Sequence, residues 1–503
     1  MKKMDQNKQY SRDMFEFVQS GVSLHDEKLK TKSRSYFADA FIRFRKNKSS
    51  VVAAFIIGFL ILFSILAPLI SPYTVNDTDN VYSNYPPFIR DIADMNLGVL
   101  DGAQSYPSQN AFQMAKYQAI AKETGYNPIL KSSERIVDGK TVYSLTVNRY
   151  YAYGVRELVM SYEKFAEIQQ WQVENNIIVI LPYVDNATDP NVWYKTTEIK
   201  VDRKMVTVPE YDANGNFIPN YDTNTSKAGP VEVLKRIEGD DGSYVYSRDK
   251  SNSVTCRVCY YNYYRFMNGR EPTYVFGTDS YGRCLFDAIG TGARFSLVFA
   301  VIVSAINLTI GAIYGAIQGY YGGFIDLALD RISDVLSGVP TIVVMTLFQL
   351  HLAQKVGVVP SFLFAYVMTG WIGMAALTRK QFYRFKSQEY VLAARTLGAS
   401  DKRLMFKHIF PNSLGTMVTS CVLVIPGVIS SETTLTYLGI VDLSTFVGTS
   451  IGELMELGQK SMSAAPHAML FPALFLSLLL ISFNLFGNGL RDAFNPSTRG
   501  VDD

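Results

Sequence analysis

The sequence predicts an α-helical polytopic membrane protein with six transmembrane helices and an inserted α+β extracellular domain. The chain of 503 residues is 48% hydrophobic. Its mean hydropathy of +0.06 is high for a soluble protein and low for one wholly embedded in lipid. Six long apolar runs are present, and a region of roughly 200 residues after the first run has no segment long enough to span a bilayer.

The first 48 residues are expected to form a cytoplasmic tail, and residues 49–71 the first transmembrane helix. About 20 apolar residues cross a bilayer, so the run from 51 to 70 is a span rather than the shorter core of a signal peptide. The run follows a basic cluster, which places the N-terminus in the cytoplasm by the positive-inside rule. The cluster consists of Arg43, Arg45, Lys46 and Lys48.

Residues 72–276 are expected to form the extracellular insertion. Asp138-Gly139 between two β-rich runs predicts a hairpin. Residues 108–124 and 161–174 have helical patterns, and the apolar run 176–183 predicts a buried strand. The crowded tyrosines of the region could stack on a ligand, but half-buried β surface is the favoured interpretation. They include Tyr260, Tyr261, Tyr263 and Tyr264.

The four cysteines and four histidines predict no metal site. Cys256 and Cys259 have the spacing of half a zinc site, but no second pair or nearby histidine completes four ligands. We therefore expect ordinary packing or an incidental disulfide there.

Five further apolar runs follow within a predicted membrane core, residues 277–492, and a cytoplasmic tail is predicted at 493–503. The runs lie at 296–320, 333–352, 359–378, 413–438 and 467–489. Six spans starting inside return the C-terminus to the cytoplasm. Basic residues follow the fourth span, so the loop 381–411 should be cytoplasmic. They are Arg379, Lys380, Arg384 and Lys386.

Small and polar residues within the spans predict helix contacts. Gly311, Gly315 and Gly319 recur on one helical face, which favours close packing of another helix. Glu432 is costly inside a membrane and is by default a functional candidate, with a packing hydrogen bond as the equal alternative. Asn307 is the second polar candidate for the pathway or the helix core.

The cytoplasmic loop divides into two short predicted helices. The first runs from Glu389 to 397 and ends at Gly398. Ser400 should cap the second, Asp401 lies in its first turn, and Pro411 should stop it. Ala393 and Ala394 give the first helix a shallow face that another protein can approach. A DNA-reading helix-turn-helix is excluded because both ends are tied to spans, so we expect no nucleic-acid partner.

These residues resemble a known family. The stretch from Val391 to Gly398, followed by Ile409-Phe410-Pro411, is similar to the EAA loop of ABC importer permeases, whose motif is Glu-Ala-Ala, then Gly, then Leu-Pro. Leu392 stands at the Glu position and Phe410 at the Leu position. Arg395 and the HIFPN stretch at 408–412 are most similar to the oligopeptide, dipeptide and nickel branch.

Three further stretches resemble the C-type permease subunit of that branch. They are GTDSYGR at 277–283 with GARFSL at 292–297, the segment containing Gly322, Gly323, Asp326, Arg331, Asp334 and Pro340, and FNLFGNGLRD at 483–492. Cys284 stands where the family usually has Asp. The insertion after the first span is far larger than in typical members.

The resemblance implies the type I ABC importer permease fold and a non-catalytic subunit of an oligopeptide importer in the plasma membrane. It further implies a second, B-type permease subunit, two ATPase subunits that use ATP and Mg, and an extracellular substrate-binding protein. The loop residues Glu389, Ala393, Ala394, Arg395, Gly398, Asp401 and Pro411 would dock on an ATPase. No cofactor is expected on this chain; its expected contacts are peptide substrate and membrane lipid. Import of dipeptides or nickel complexes stays an alternative, and so does a signalling or adhesion protein with an external binding domain.

Overall fold

The structure, a computed structural model, describes residues 36–137, 140–183, 196–201, 204–214, 218, 221–226, 229–234, 236–443 and 448–494. Its helices are α1 Tyr36–Lys46, α2 Lys48–Ile70, α3 Arg90–Ala93, α4 Ala111–Thr124, α5 Arg149–Ala152, α6 Tyr162–Asn175, α7 Tyr260–Asn268, α8 Leu285–Tyr321, α9 Gly323–Ser337, α10 Thr341–His351, α11 Ala353–Val356, α12 Val358–Gly370, α13 Ile372–Lys386, α14 Glu389–Thr396, α15 Asp401–Arg403, α16 Phe410–Tyr437, α17 Ile451–Lys460 and α18 Pro466–Phe494.

All described strands lie in the insertion. They are β1 Ala103–Gln109, β2 Ile129–Val137, β3 Lys140–Asn148, β4 Val155–Met160, β5 Ile180–Leu181, β6 Thr196–Val201, β7 Lys204–Pro209, β8 Tyr221–Ser226, β9 Gly229–Leu234, β10 Ser247–Lys250 and β11 Ser253–Cys259. One antiparallel sheet has the order β1-β3-β2, and a second has the order β10-β11-β4 with β5 also on β11. Two hairpins, β6-β7 and β8-β9, pair separately.

Five single helices within the described residues are long and apolar enough to span a membrane. They are Lys48–Ile70, Leu285–Tyr321, Val358–Lys386, Asp401–Tyr437 and Pro466–Phe494. The predicted run at 333–352 is divided between two helices, because α9 and α10 meet there at 72°. Pro340 lies at the break. Proline has no backbone N–H and clashes with the preceding turn, which favours a break or kink at this position. The bent pair counts as the sixth span if it crosses as one unit.

The membrane core is one apolar cluster between α2, α8, α12, α16, α17 and α18. Its largest fully buried members include Phe362, Leu285 and Leu479. The helix α8 has 37 residues, which corresponds to a length of about 55 Å. A hydrocarbon layer is about 30 Å thick, so α8 extends well beyond one membrane face, toward the insertion.

The two predicted helices of the insertion are present and their ends have local causes. Asn110 caps α4 by accepting from the Gln113 N–H at 2.9 Å. Ser161 caps α6 by accepting from the Lys164 N–H at 3.2 Å. These side chains satisfy amide groups that the first helical turn leaves without partners. The strands β2 and β3 pair up to Val137 and Lys140, as a hairpin requires, while Asp138 and Gly139 lie outside the described residues.

Two predictions for the insertion were wrong in detail. Only Ile180–Leu181 of the expected strand 176–183 pairs with another strand. The amides of Val179 and Ile180 instead donate to the Gln172 side chain at 3.3 and 3.2 Å. The side-chain bonds therefore occupy these two amides, while the Val179 carbonyl accepts from the Cys259 N–H of β11 at 2.8 Å.

The crowded tyrosines are not on β surface. They lie on the helix α7, and three of them are buried in an aromatic core. The Tyr264 hydroxyl lies 3.1 Å from that of Tyr274 and donates to that of Tyr73 at 3.2 Å. Burial therefore pairs their hydroxyl groups with one another, as buried polar groups require.

Candidate functional site

The coupling loop, residues 381–411, contains α14 and a tight turn before α15. Glu389 opens α14, where a carboxylate interacts favourably with the helix dipole. The helix ends in a Schellman motif: the Gly398 N–H donates to the Arg395 carbonyl and the Ala399 N–H to the Ala394 carbonyl, both at 3.0 Å. Gly398 has a φ of +81°, in the left-handed region that favours glycine. The turn therefore depends on that glycine.

The second helix begins where the sequence predicts but does not stop at Pro411. Ser400 occupies the N-cap position without a capping hydrogen bond from its side chain. The helix then runs continuously to residue 437, which corrects the predicted stop. A wider, π-helical turn at Leu404–Ile409 precedes the proline, and the Phe410 N–H bonds to the Met405 carbonyl. Pro411 thus falls at the start of α16, where its missing N–H is tolerated.

Tyr320, near the C-terminal end of α8, joins the two helices of the loop. Its hydroxyl donates to the Asp401 carboxylate and accepts from the Arg395 guanidinium at 3.5 Å. The guanidinium carbon also lies 5.9 Å from the Tyr320 ring centre. Sequence reasoning missed this residue because Tyr320 and Asp401 are 81 positions apart. The one local sequence signal for Tyr320 is its position just before Gly322-Gly323, where the helix ends.

The loop has an apolar inner face and a partly apolar outer face. Its inner face packs in a buried cluster of Ala316, Tyr320, Phe382, Val391, Leu404, Met405 and Ile409. Ala394 packs partly against this cluster, whereas Ala393 is exposed. Leu392 is 45% exposed and Leu397 is 88% exposed. The outer side of the loop therefore carries two exposed apolar side chains.

The glycine seam, Gly311, Gly315 and Gly319, lies against α13. A Cβ added at Gly315 would lie 2.1 Å from the Ala375 carbonyl oxygen, and one at Gly319 would lie 2.7 Å from the Arg379 carbonyl oxygen. A Cβ at Gly311 would lie 2.7 Å from the Trp371 carbonyl oxygen. Small residues permit this approach of two helix backbones. The seam therefore makes α8 and α13 a closely packed pair.

Glu432 and Asn307 lie apart and in different surroundings. Glu432 is fully buried and its Oε2 accepts from the Ser296 hydroxyl at 2.8 Å. Oε1 has no hydrogen-bond partner among the described residues. Asn307 borders a cavity of about 190 Å³ between α8, α13 and α16. Its Oδ1 is likewise without a partner in the described part of the chain. The two residues are separate buried polar groups rather than one site.

A polar cluster holds α9 to α13 close to the seam. The Arg379 guanidinium donates to Asp326 at 2.6 Å and to Asp330 at 2.8 Å. The Tyr383 hydroxyl also donates to Asp326 at 2.6 Å. Lys386 donates to the Gly319 carbonyl at 3.0 Å. Charge-assisted bonds of this kind are strong and directional, so they fix the bent helix pair at the loop side.

At the other end of α8, an outer latch of Asp279, Arg283 and Glu453 joins the segment just before α8 to α17. Arg283 bonds to Asp279 at 2.7 Å and to Glu453 at 3.4 Å. It also donates to the Gly448 carbonyl at 3.0 Å. Burial lowers the pKa of Arg283, but the charges of Asp279 and Glu453 outweigh that effect and raise it. The arginine is thus a buried cation held by opposite charges. Cys284, at the position of the family's Asp, is buried.

The cysteines of the insertion are free thiols. Cys256 and Cys259 are buried on β11, and the Cys256 sulfur lies 3.8 Å from the Met160 sulfur. Burial raises the pKa of Cys256 to about 12 and that of Cys259 to about 11. No group of three or more His, Cys, Asp or Glu side chains suited to a metal ion occurs in the described part of the chain.

Two family descriptions match parts of this chain. Residues 307–500 match the family described as "binding-protein-dependent transport system inner membrane component". Residues 35–87 match the "N-terminal TM domain of oligopeptide transport permease C". The solved MetNI methionine ABC transporter shares 13% identity at a TM-score of 0.35, over 42% of this chain and 98% of that chain.

Three curated relatives are more similar. The oligopeptide transport system permease protein OppC of Bacillus subtilis is 36% identical over 242 residues, which are 48% of this chain and 78% of that protein. The dipeptide transport system permease protein DppC of Lactococcus lactis is 38% identical over 45% of this chain and 64% of that protein. The OppC protein of Escherichia coli is 36% identical over 46% and 74%, respectively.

The spans, the broken helix pair and the helix-turn-helix loop between two spans define a polytopic membrane permease core with an inserted α+β domain. The OppC proteins of Bacillus subtilis and Escherichia coli are each 36% identical to this chain over 78% and 74% of their own lengths. The chain belongs to the family of inner-membrane permeases of binding-protein-dependent transport systems, in the branch of the OppC and DppC proteins. The resemblance predicted from the sequence is thereby confirmed.

Proposed function

We propose that this permease forms half of the translocation pathway of an ABC importer for oligopeptides and couples to ATPase subunits through residues 381–411. The observation that carries the coupling role is the loop itself. It is a tight turn with a buried base, and Leu397 on its outer side is 88% exposed. Peptide as the substrate class is supported by the relatives, which are named for oligopeptide and dipeptide transport.

The proposed orientation places the loop in the cytoplasm and the insertion outside. Basic residues flank the first span on its N-terminal side and accompany the end of α13. Such residues favour the cytoplasmic side. The outer latch and the coupling loop lie at opposite ends of α8. The same proposed orientation therefore places the loop in the cytoplasm and the latch on the outer side. Residues 72–276 then stand on the plasma membrane's outer face, where they would receive or orient a substrate-binding protein.

The proposed partners follow from this role. A second, B-type permease completes the pathway, two ATPase subunits use ATP and Mg, and an external binding protein delivers peptide. This chain would supply no catalytic group of its own. ATPase closure would move the loop as a lever between inward-open and outward-open states of the spans.

The test replaces the most exposed apolar residue of the loop. In Leu397→Glu, no internal packing is lost, but a charge enters the proposed ATPase contact, so peptide uptake should fall at least about tenfold because burying an unpaired charge is costly. The matched control is Leu97→Glu in the insertion, where the leucine is 66% exposed. Both variants are assembled with all partners in proteoliposomes, and labelled peptide uptake is measured.

Three results would count against the proposal. Unchanged uptake in Leu397→Glu would remove the loop from the ATPase contact. Uptake of a labelled nickel complex but not of peptide by the wild-type complex would replace the substrate class. A purified chain that associates with no ATPase would favour the signalling or adhesion alternative.

A further inference from the structure

We infer that Tyr320 is a positioning residue that joins the coupling loop to α8, so that loop and helix move together when the loop is displaced. The inference rests on the proposed function, because it assigns the route by which docking at the loop reaches the spans. It concerns a residue of a membrane helix rather than of the loop.

The geometry supports a single bridging hydroxyl group. Tyr320 is 7% exposed, yet its hydroxyl contacts both helices of the loop. It donates to Asp401 at the start of α15 and accepts from Arg395 in the last turn of α14. The two partners precede and follow the Gly398 turn in the chain. One atom of α8 therefore specifies where both loop helices lie.

Lys386, at the end of α13, donates to the Gly319 carbonyl at 3.0 Å, but the remaining described contacts of α8 with residues 389–411 are apolar. Ala316 belongs to the same cluster as Leu404 and Met405. Apolar contacts are attractive but non-directional, so they hold the loop against α8 without setting its register. A hydrogen bond to a charged group is directional and stronger. Tyr320 therefore supplies the directional contact between the helix and the loop.

The position on α8 also suits transmission. Tyr320 follows Gly319, where a Cβ would lie 2.6 Å from the Phe382 Cβ. The glycine seam thus holds this end of α8 tightly against α13. A displacement of Asp401 or Arg395 therefore reaches α8 and α13 together, because close-packed elements transmit displacement.

The test uses the complete importer with both permeases, the ATPases and the binding protein in proteoliposomes. Tyr320→Phe keeps the ring in its apolar cluster and removes only the hydroxyl group. We expect labelled peptide transported per ATP hydrolysed to fall about tenfold, the factor that corresponds to losing a hydrogen bond to a charged group. The control is Tyr321→Phe: that side chain is 52% exposed, and the ratio should not change.

A double-variant cycle separates the bridge from a general packing effect. If Tyr320 acts through Asp401, then Asp401→Ala lowers the same ratio, and the double variant is no worse than either single one. Asp401→Asn keeps an acceptor oxygen and should restore part of the ratio. An unchanged ratio in Tyr320→Phe, or fully multiplicative losses in the double variant, would overturn the inference.

A second measurement does not depend on the substrate. Hydrogen exchange is followed in the assembled complex with and without ATP, for amides of α14 and of the last turns of α8. In the wild type both segments should respond together. In Tyr320→Phe only the loop should respond. An equal response of α8 in both proteins refutes the bridge, whereas absent peptide uptake by the wild type refutes only the proposed substrate.

Discussion

The glycine seam permits a quantitative prediction for the variant Gly315→Ala. The added Cβ would lie 2.1 Å from the Ala375 carbonyl oxygen and 2.8 Å from the Thr378 Cβ. Because the nearer atom belongs to the backbone, α8 and α13 must separate, and overpacking of this kind costs up to about 3 kcal/mol. Replacing glycine by alanine within a helix recovers about 1 kcal/mol. The expected net loss is about 2 kcal/mol of unfolding free energy.

The matched control is Gly373→Ala in α13. No atom lies within 4 Å of a Cβ built at Gly373, so this variant should keep the helix-propensity gain of about 1 kcal/mol. Reversible unfolding of the purified chain in mixed micelles, followed by tryptophan fluorescence, should separate the two variants by about 3 kcal/mol. Equal unfolding free energies would refute the close approach of the two helix backbones.

Three further predictions concern buried polar groups. Arg283→Ala leaves the carboxylate of Asp279 buried without its cation and should lower the unfolding free energy by about 3 kcal/mol in the same micelle assay; an unchanged value would contradict the latch. Cys256 and Cys259 should resist N-ethylmaleimide at pH 8 until the chain unfolds, because burial raises the pKa of their thiols to about 12 and about 11; rapid labelling by mass spectrometry would refute this. Glu432→Gln keeps the shape of a side chain that is fully buried and should change the unfolding free energy by less than about 1 kcal/mol; a larger loss would indicate that the carboxylate is required.

The spans were largely predictable because hydrophobic length is a local property of the sequence. The exception is the third span. An apolar run at 333–352 satisfies the length criterion, yet Pro340 divides it into two helices at 72°. The mean hydropathy of a run does not depend on the order of its residues, so it does not indicate where a helix breaks. The proline was visible in the sequence, but its effect depends on the direction in which α9 leaves the bundle.

The coupling loop was predictable to the extent that its causes are local. Gly398 has no side chain to oppose a left-handed turn, and the structure has that turn there. Pro411 was misjudged because its tolerance depends on the π-helical turn before it, which no local propensity indicates. Tyr320 was missed because it meets Asp401 only after α8 and the loop pack together. Long-range contacts of this kind require the fold.

The helix α8 connects the outer latch to the coupling loop. It begins directly after Arg283 of the outer latch and ends just after Tyr320 at the coupling loop. At about 55 Å these two residues are too far apart to interact directly, so the losses of unfolding free energy from Arg283→Ala and Tyr320→Phe should add within about 0.5 kcal/mol. The losses of transport should not multiply, because both variants interrupt the same displacement of α8. A displacement that is not passed on at one end of the helix does not reach the other end. A double variant should therefore transport no less than the worse single variant, and multiplied losses would show two independent routes.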